Sequence, residues 1–319
     1  MVSASGGTAL GDAMGTVKRF YHASSASSTP HRPVPGQPSP TSFIFESRGL
    51  SNRENEKSYA IKIGRRTARK KKTMGQHPDR NAQFENIARL RREYEAAGDA
   101  VLSVDTKKKE LLGNFHRAGT TFTAETVETF DYAFGAAGQG KLIPHGLYAM
   151  VNQHAHIHLN TSHDTSVLCC DSVALWWEEV GRTVYPQAQR LLILGDGGGS
   201  NSATQYLCKE DLQGLANRLG LAMRVAHYPP YGSKHNPIEH QVFPHIIRAC
   251  QGSIFPTVDI ARQFIERAKT TTGLRVTVRM LDKVYQTGRT YTADFKHHMK
   301  ILFDDHLPQW NYRAVPACT

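Results

Sequence analysis

The sequence has no run of eighteen apolar residues, no C-x-x-C pair and no Gly-Lys-Ser/Thr triplet. Without the first, no helix long and apolar enough to cross a membrane is expected. The five cysteines (Cys169, Cys170, Cys208, Cys250, Cys318) are odd in number and lack metal-ligand spacing. They argue against a disulfide framework or zinc finger and fit a reducing cytoplasm. The missing triplet excludes a phosphate-gripping nucleotide loop. The glycines from Gly195 onward make no dinucleotide fingerprint either, because Asn201 and Ser202 stand where its glycine belongs. With neither an apolar core segment nor a cleavage site near Met1, no secretory signal is expected.

Acidic residues are scarce early in the chain. Residues 1–75 hold 13 Lys and Arg against 4 Asp and Glu, whereas the rest hold 26 against 24. The net charge of +11 is therefore mostly an N-terminal property. Any nucleic-acid groove in the remainder must come from local charge placement. Residues 1–50 are rich in Ser, Gly, Pro and Thr without apolar periodicity. Such a segment buries too little apolar area to offset its ordering entropy, so residues 1–75 are expected to be a disordered, basic stretch. The run Arg65, Arg66, Arg69, Lys70, Lys71 and Lys72 is readable as a solvated linker or as a sequence-independent phosphate contact.

From residue 78 the texture changes. Phe84, Ile87, Leu90 and Tyr94 recur at helical spacing up to Gly98. Residues 100–105 form a short apolar run, expected to be a buried strand ending on Asp105. Residues 146–151 and 154–160 read as an antiparallel pair. A helix capped by Asp171 carries Val173, Trp176, Trp177 and Val180. Residues 190–196 are the clearest buried strand and end on Asp196. A helix through Leu207, Leu212, Leu215 and Leu219 stops at Gly220, and residues 221–227 supply a fifth strand. A helix beginning near Asn236, another over 257–271 and an alternating strand from Leu274 follow. No repeat is visible. The order predicts one mixed α/β sheet of five principal strands with helices on both faces.

Two strands ending in Asp bring two carboxylates to one sheet edge, where their repulsion calls for a cation. Three glycines after Asp196 allow a sharp turn and close approach to a ligand. Glu239 has two readings. Asn236-Pro237-Ile238-Glu239 fits a capping box with Asn236 as N-cap; alternatively, the carboxylate projects from the first helical turn toward the same edge. Three carboxylates so delivered suit hard divalent ions such as Mg2+, which take oxygen ligands and retain waters. Two such ions promote in-line displacement at phosphorus. Pro244 falls inside the expected Glu239 helix and predicts a kink there.

The blocks His77-Pro78-Asp79-Arg80-Asn81-Ala82-Gln83-Phe84, Ser103-Val104-Asp105-Thr106-Lys107-Lys108-Lys109-Glu110-Leu111, Gly195-Asp196-Gly197-Gly198-Gly199-Ser200-Asn201 and Ile238-Glu239-His240 resemble the ISAzo-thirteen-like family of insertion-sequence transposases. His163-Asp164-Thr165, Trp176-Trp177 and Trp310-Asn311-Tyr312 are similar as well. The resemblance covers about residues 75–313. It implies an RNase H-like core of the DDE superfamily over residues 76–319, with Asp105, Asp196 and Glu239 as catalytic and metal-binding residues. Mg2+ or Mn2+ is the implied cofactor. The implied reaction is cleavage at transposon ends, followed by attack of a freed 3′-hydroxyl on target DNA. The implied setting is the bacterial cytoplasm at the nucleoid, with double-stranded DNA of ends and target as partner and a homo-oligomer in the DNA complex. Members of the family usually carry a helix-turn-helix region ahead of the core. Residues 1–75 show no such helices, which is readable as a truncated product or as one started from an altered reading frame and puts specific end recognition in question.

Lys107, Lys108 and Lys109 follow Asp105, and Lys234 and His235 precede Glu239. Basic groups beside an acidic site suit an incoming phosphate backbone, or else form solvated turns. His154, His156 and His158 alternate on one strand face, but no carboxylate or cysteine joins them at zinc spacing. A nuclease that cuts without joining strands and a catalytically silent DNA-binding remnant are the rival functions.

Overall fold

The structure is a computed structural model describing residues 77–130, 138–199 and 202–317. The N-terminal segment expected to be disordered, the Ser200-Asn201 pair and Cys318 lie outside the described residues.

A helix, Arg80–Ala96 (α1), buries Gln83, Asn86, Ile87, Leu90 and Tyr94 at three- and four-residue spacing. It is followed by Gly98 at φ +74°, a conformation glycine adopts without strain. Next come the strands Ala100–Thr106 (β1), Glu110–Leu111 (β2), Lys141–Ala149 (β3) and His154–Asn160 (β4). Ser166–Trp176 (α2) continues through a π-helical turn, Trp177–Gly181, into Arg182–Val184 (α3). Arg190–Asp196 (β5), Tyr206–Leu219 (α4) and Ala222–Tyr228 (β6) follow. A 3-10 turn at Ser233–His235 then leads to Pro237–Gln241 (α5), Phe243–Ala249 (α6) and Val258–Glu266 (α7). The last elements are Arg275–Met280 (β7), Phe295–His298 (α8), Ile301–Phe303 (β8) and Asn311–Ala314 (β9).

The five strands expected from the sequence sit side by side as β4-β3-β1-β5-β6. Strand β3 runs antiparallel to β1 and β4, while β1, β5 and β6 are mutually parallel. This is a mixed sheet of five principal strands, as the order of elements predicts. Three flanking strands extend it, with β7 parallel to β4 at one side and β9 then β8 at the other, and β2 adds to β3. Helices cover both faces, so the central strands read as unbroken apolar runs. Val101, Leu192 and Leu194 pack with Ile87, Leu90, Ile238 and Phe243 on one face. Leu102, Val104, Leu191 and Ile193 pack with Val173, Trp176, Leu212 and Leu215 on the other.

Local boundaries differ in two places. The helix assigned to an Asp171 cap begins six residues earlier, where the Thr165 side chain accepts the Leu168 N–H at 3.2 Å. Asp171 lies inside that helix and accepts from Lys283 Nζ at 2.8 Å and the Tyr285 hydroxyl at 3.2 Å. Strand β3 also starts at Lys141, ahead of the expected 146.

The histidines of β4 share one sheet face, and His145 of β3 pairs in register with His158. His154 Nε2 contacts Thr277 Oγ1 at 2.8 Å. Among the described residues no group of three His, Cys, Asp or Glu side chains is arranged to hold a metal. Burial holds His145 and His227 down at about 4, and His156 and His158 at about 3 with neighbouring positive charge adding to the effect. The unfolded chain takes up these protons near pH 6.5, so unfolding binds protons below that value. Stability should be fully present above pH 6.5 and fall by up to about 1.4 kcal/mol per histidine for each pH unit below it, until pH 3–4. Urea unfolding at pH 7.5 and 5.5 measures this; equal midpoints would mean that the four imidazoles are solvated.

Candidate active site

Strands β1 and β5 are parallel neighbours, so their carboxyl ends share one sheet edge. Asp105 is the penultimate residue of β1 and Asp196 the last of β5. The glycine turn after β5 gives Asp196 a hydrogen bond from the Gly198 N–H, and Gly199 adopts φ +58°. Thr106 N–H donates to Asp105 Oδ1 at 2.7 Å.

Glu239 reaches this edge from a different part of the chain. Asn236 occupies the N-cap of α5, but its side chain caps nothing. Its Nδ2 donates to the Val104 carbonyl at 3.0 Å, and its Oδ1 accepts from the Ser103 hydroxyl at 2.5 Å. Ser103 Oγ in turn accepts the Ile238 N–H at 3.0 Å, so a strand residue performs the capping. The Asn236 N–H is already bonded to the Ser233 carbonyl at 2.7 Å. The capping-box reading of Glu239 is therefore corrected, because both partners it needs are engaged elsewhere. Glu239 instead makes a side-chain hydrogen bond with Asp105. Gly146, opposite Asp105 in β3, clears space for this approach: a Cβ there would meet Ile238 Cδ1 at 2.6 Å.

Pro244 does not kink one helix. The chain breaks at Val242 (φ −123°, ψ −59°), leaving Glu239 on the five-residue α5, and Pro244 falls in the first turn of α6. A missing N–H costs nothing there, since first-turn N–H groups have no helical partner.

Crowding dominates the electrostatics. Burial raises the Asp105 carboxyl well above the ordinary range, with the Glu239 hydrogen bond and the charges of Asp196 and Glu239 adding. Asp196 is raised by burial and by the charges of Glu239 and Asp164, against the opposing Gly198 N–H. Asp105 therefore lies against Glu239 and within reach of the charge of Asp196. Among the described residues no ready-made metal-holding cluster is present. The donors are nonetheless all hard oxygens with unrelieved like charge, a set suited to a divalent cation.

The basic candidates divide. Lys107 is corrected: it turns inward, is buried and pairs with Glu110, which also accepts from Arg117 Nε at 3.1 Å. Lys108, Lys109 and Lys234 are exposed near the acidic edge. His235 is exposed, contacts Arg80 Nη2 at 3.3 Å and stacks edge-on against Phe84. Sequence reasoning passed over Ser103, Thr106, His145 and Asn236 as positioning groups, and it quoted Asp164 only within a family block. Each is a small polar residue or histidine whose burial no local pattern announces.

A mixed α/β sheet with acids at the ends of two adjoining parallel strands defines the class. The particular family follows from comparison: the family described as Rhodopirellula transposase DDE domain matches residues 54–316, and the chain belongs to it. It is the family that the sequence blocks resemble. Comparison with curated proteins gives no match. Among solved structures, the Mos1 transposase paired-end complex with left transposon end aligns at TM-score 0.45 and 11% identity, over 66% of this chain and 63% of that one. The Mos1 strand transfer complex aligns at 0.44 and 12%, over 66% and 61%. The Mos1 mariner paired-end complex with Mn aligns at 0.43 and 11%, over 64% and 59%. The chain thus spans less than two thirds of each of these Mos1 chains.

Ser103→Ala should cost about 1–3 kcal/mol, because it strands the buried Asn236 oxygen and the Ile238 N–H. Chemical denaturation measures the loss; a change under about 0.3 kcal/mol would show that water or repacking replaces the serine.

Proposed function

We propose that residues 76–319 form the catalytic domain of a DDE transposase that cuts DNA at transposon ends and joins the freed 3′-hydroxyl to target DNA. The supporting observation is the contact between the Asp105 and Glu239 carboxyl groups beside Asp196, at the edge where β1 and β5 end. Membership of a transposase family supports the same reading.

Asp105, Asp196 and Glu239 would hold Mg2+ or Mn2+. When bound there, such an ion would supply a nucleophilic oxygen at neutral pH and offset charge on the leaving oxygen. Asp105 is oriented by the Thr106 N–H, Asp196 by the Gly198 N–H, and Glu239 by the Ser103 and Asn236 contacts. Exposed Lys108, Lys109, Lys234 and His235 flank the edge and suit the phosphate backbone of double-stranded DNA. Two ends and a target call for a homo-oligomer in the DNA complex, acting at the nucleoid of a bacterial cytoplasm. No helix among the described residues is long and apolar enough to cross a membrane.

Cleavage of an end-containing duplex should need Mg2+ or Mn2+, stop on chelation, and fall on the order of a thousandfold or more in Asp196→Asn. Supplying pre-cut ends separates strand transfer from cutting alone. Undiminished cleavage by purified Asp196→Asn refutes the assignment, and a folded wild type inert toward both substrates marks a silent remnant.

The basic residues 1–75 should add sequence-independent affinity through counterion release. A chain starting at Gln76 should bind random duplex more weakly at low salt, with the difference fading as salt rises. Protection of a defined terminal sequence by the full chain alone would instead reveal a folded reader in that segment.

A further inference from the structure

A fourth acid is held at the same edge. Asp164 lies half-buried just ahead of α2 and beside its cap, Thr165. Its Oδ1 accepts from the Thr106 hydroxyl at 3.2 Å. The N–H of the same threonine holds Asp105 Oδ1, so one residue grips two acids by different groups. The Thr106 oxygen also meets His145 Nδ1 at 3.0 Å.

The direction of these bonds follows from elementary donor counting. A carboxylate only accepts, so the one hydroxyl hydrogen of Thr106 points to Asp164. His145 must then donate from Nδ1, which fixes its tautomer. It is fully buried and its Nε2 has no partner among the described residues, as befits a neutral ring. The chain His145 to Thr106 to Asp164 is therefore one-way. No hydrogen bond to Asp164 Oδ2 occurs among the described residues. Asp164 also lines a cavity of about 310 Å3 together with Lys109 and Gly199, the latter in the turn that follows Asp196.

We propose that Asp164 is a fourth carboxylate of the centre, a positioning residue bracketed by Thr106 that orients water ligands of a divalent ion held by Asp105 and Asp196. The proposal rests on the metal-dependent reading above. Mg2+ and Mn2+ sites of few carboxylates retain several waters, and acceptors just outside the ligand shell set how those waters point. A carboxylate with one oxygen held by Thr106, on a residue that lines the cavity, meets that requirement. Its contribution has two separable parts, a negative charge and an orientation imposed by Thr106.

Metal binding by the full chain without DNA tests both parts, using Mn2+ as probe and the electron paramagnetic resonance signal of free Mn2+ as readout. Asp164→Asn should raise the Mn2+ Kd about tenfold or more. Thr106→Val leaves every charge in place and should weaken binding in the same direction, while Thr106→Ser should restore it. Wild-type affinity in Asp164→Asn or Thr106→Val, alongside lost binding in Asp196→Asn, overturns the role of Asp164 and leaves the metal site standing. Wild-type affinity in Asp196→Asn overturns both. Circular dichroism checks folding, and if Thr106→Val does not fold, Asp164→Asn and Asp164→Glu decide: binding weakened in the first and recovered in the second supports the proposal, and unchanged binding in the first ends it.

Discussion

The hydrogen bonds joining Ser103, Asn236 and the Ile238 amide are the constraint on which the candidate site depends. Ser103 stands two residues before Asp105 on β1, so both side chains leave the same face of the strand. Asn236 stands three residues before Glu239. Tying the first pair of positions together brings the second pair together as well. Both polar side chains are fully buried, and a buried polar group without a partner is costly, so the arrangement has little freedom to slide. Gly146 completes it by leaving room for Ile238 where any side chain would collide. The short α5 owes its position to these contacts, since five residues form no stable helix alone.

A second buried network ties the two ends of the described chain to the same edge. Asn311 of β9 accepts from Gln83 and Asn86 of α1 at 3.0 Å and donates back to Gln83 Oε1 at 2.8 Å. Gln83 also donates to the His227 carbonyl at 2.8 Å. The His227 ring lies between the Asp196 carbonyl at 3.1 Å and the Tyr312 hydroxyl at 3.0 Å. The strand that ends on Asp196 is thus braced through β6 by residues from two of the blocks that carry the family resemblance. Their amides serve one another in the interior.

Much was legible in the sequence because it depends on near neighbours. The apolar runs before Asp105 and Asp196 predict strands buried on both faces, and the 3–4 spacing in α1 and α4 predicts their inward stripes. The glycines at 98 and 220 sit just past helix ends, with positive φ. Parallel strands ending in acids were enough to bring Asp105 and Asp196 to one edge. The weak points were positions where two local patterns competed. Asn236 to Glu239 has the letters of a capping box, yet Ser103, more than 130 residues away, supplies the cap. Lys107 has the letters of a phosphate contact, yet Glu110 draws it inward.

By itself, then, the sequence determined the elements, the central strand set, the family and the three acids worth testing. Periodicity and motif order are properties of adjacent residues and survive without the fold. Tertiary structure alone decided which partner each buried polar group takes. It divided the helix at Val242, turned Lys107 away from the edge, and joined Asp164, Thr106 and His145 in one chain of hydrogen bonds. Those choices rest on desolvation, because a polar side chain removed from water must bond to whatever the packed sheet brings within about 3 Å, however distant in sequence.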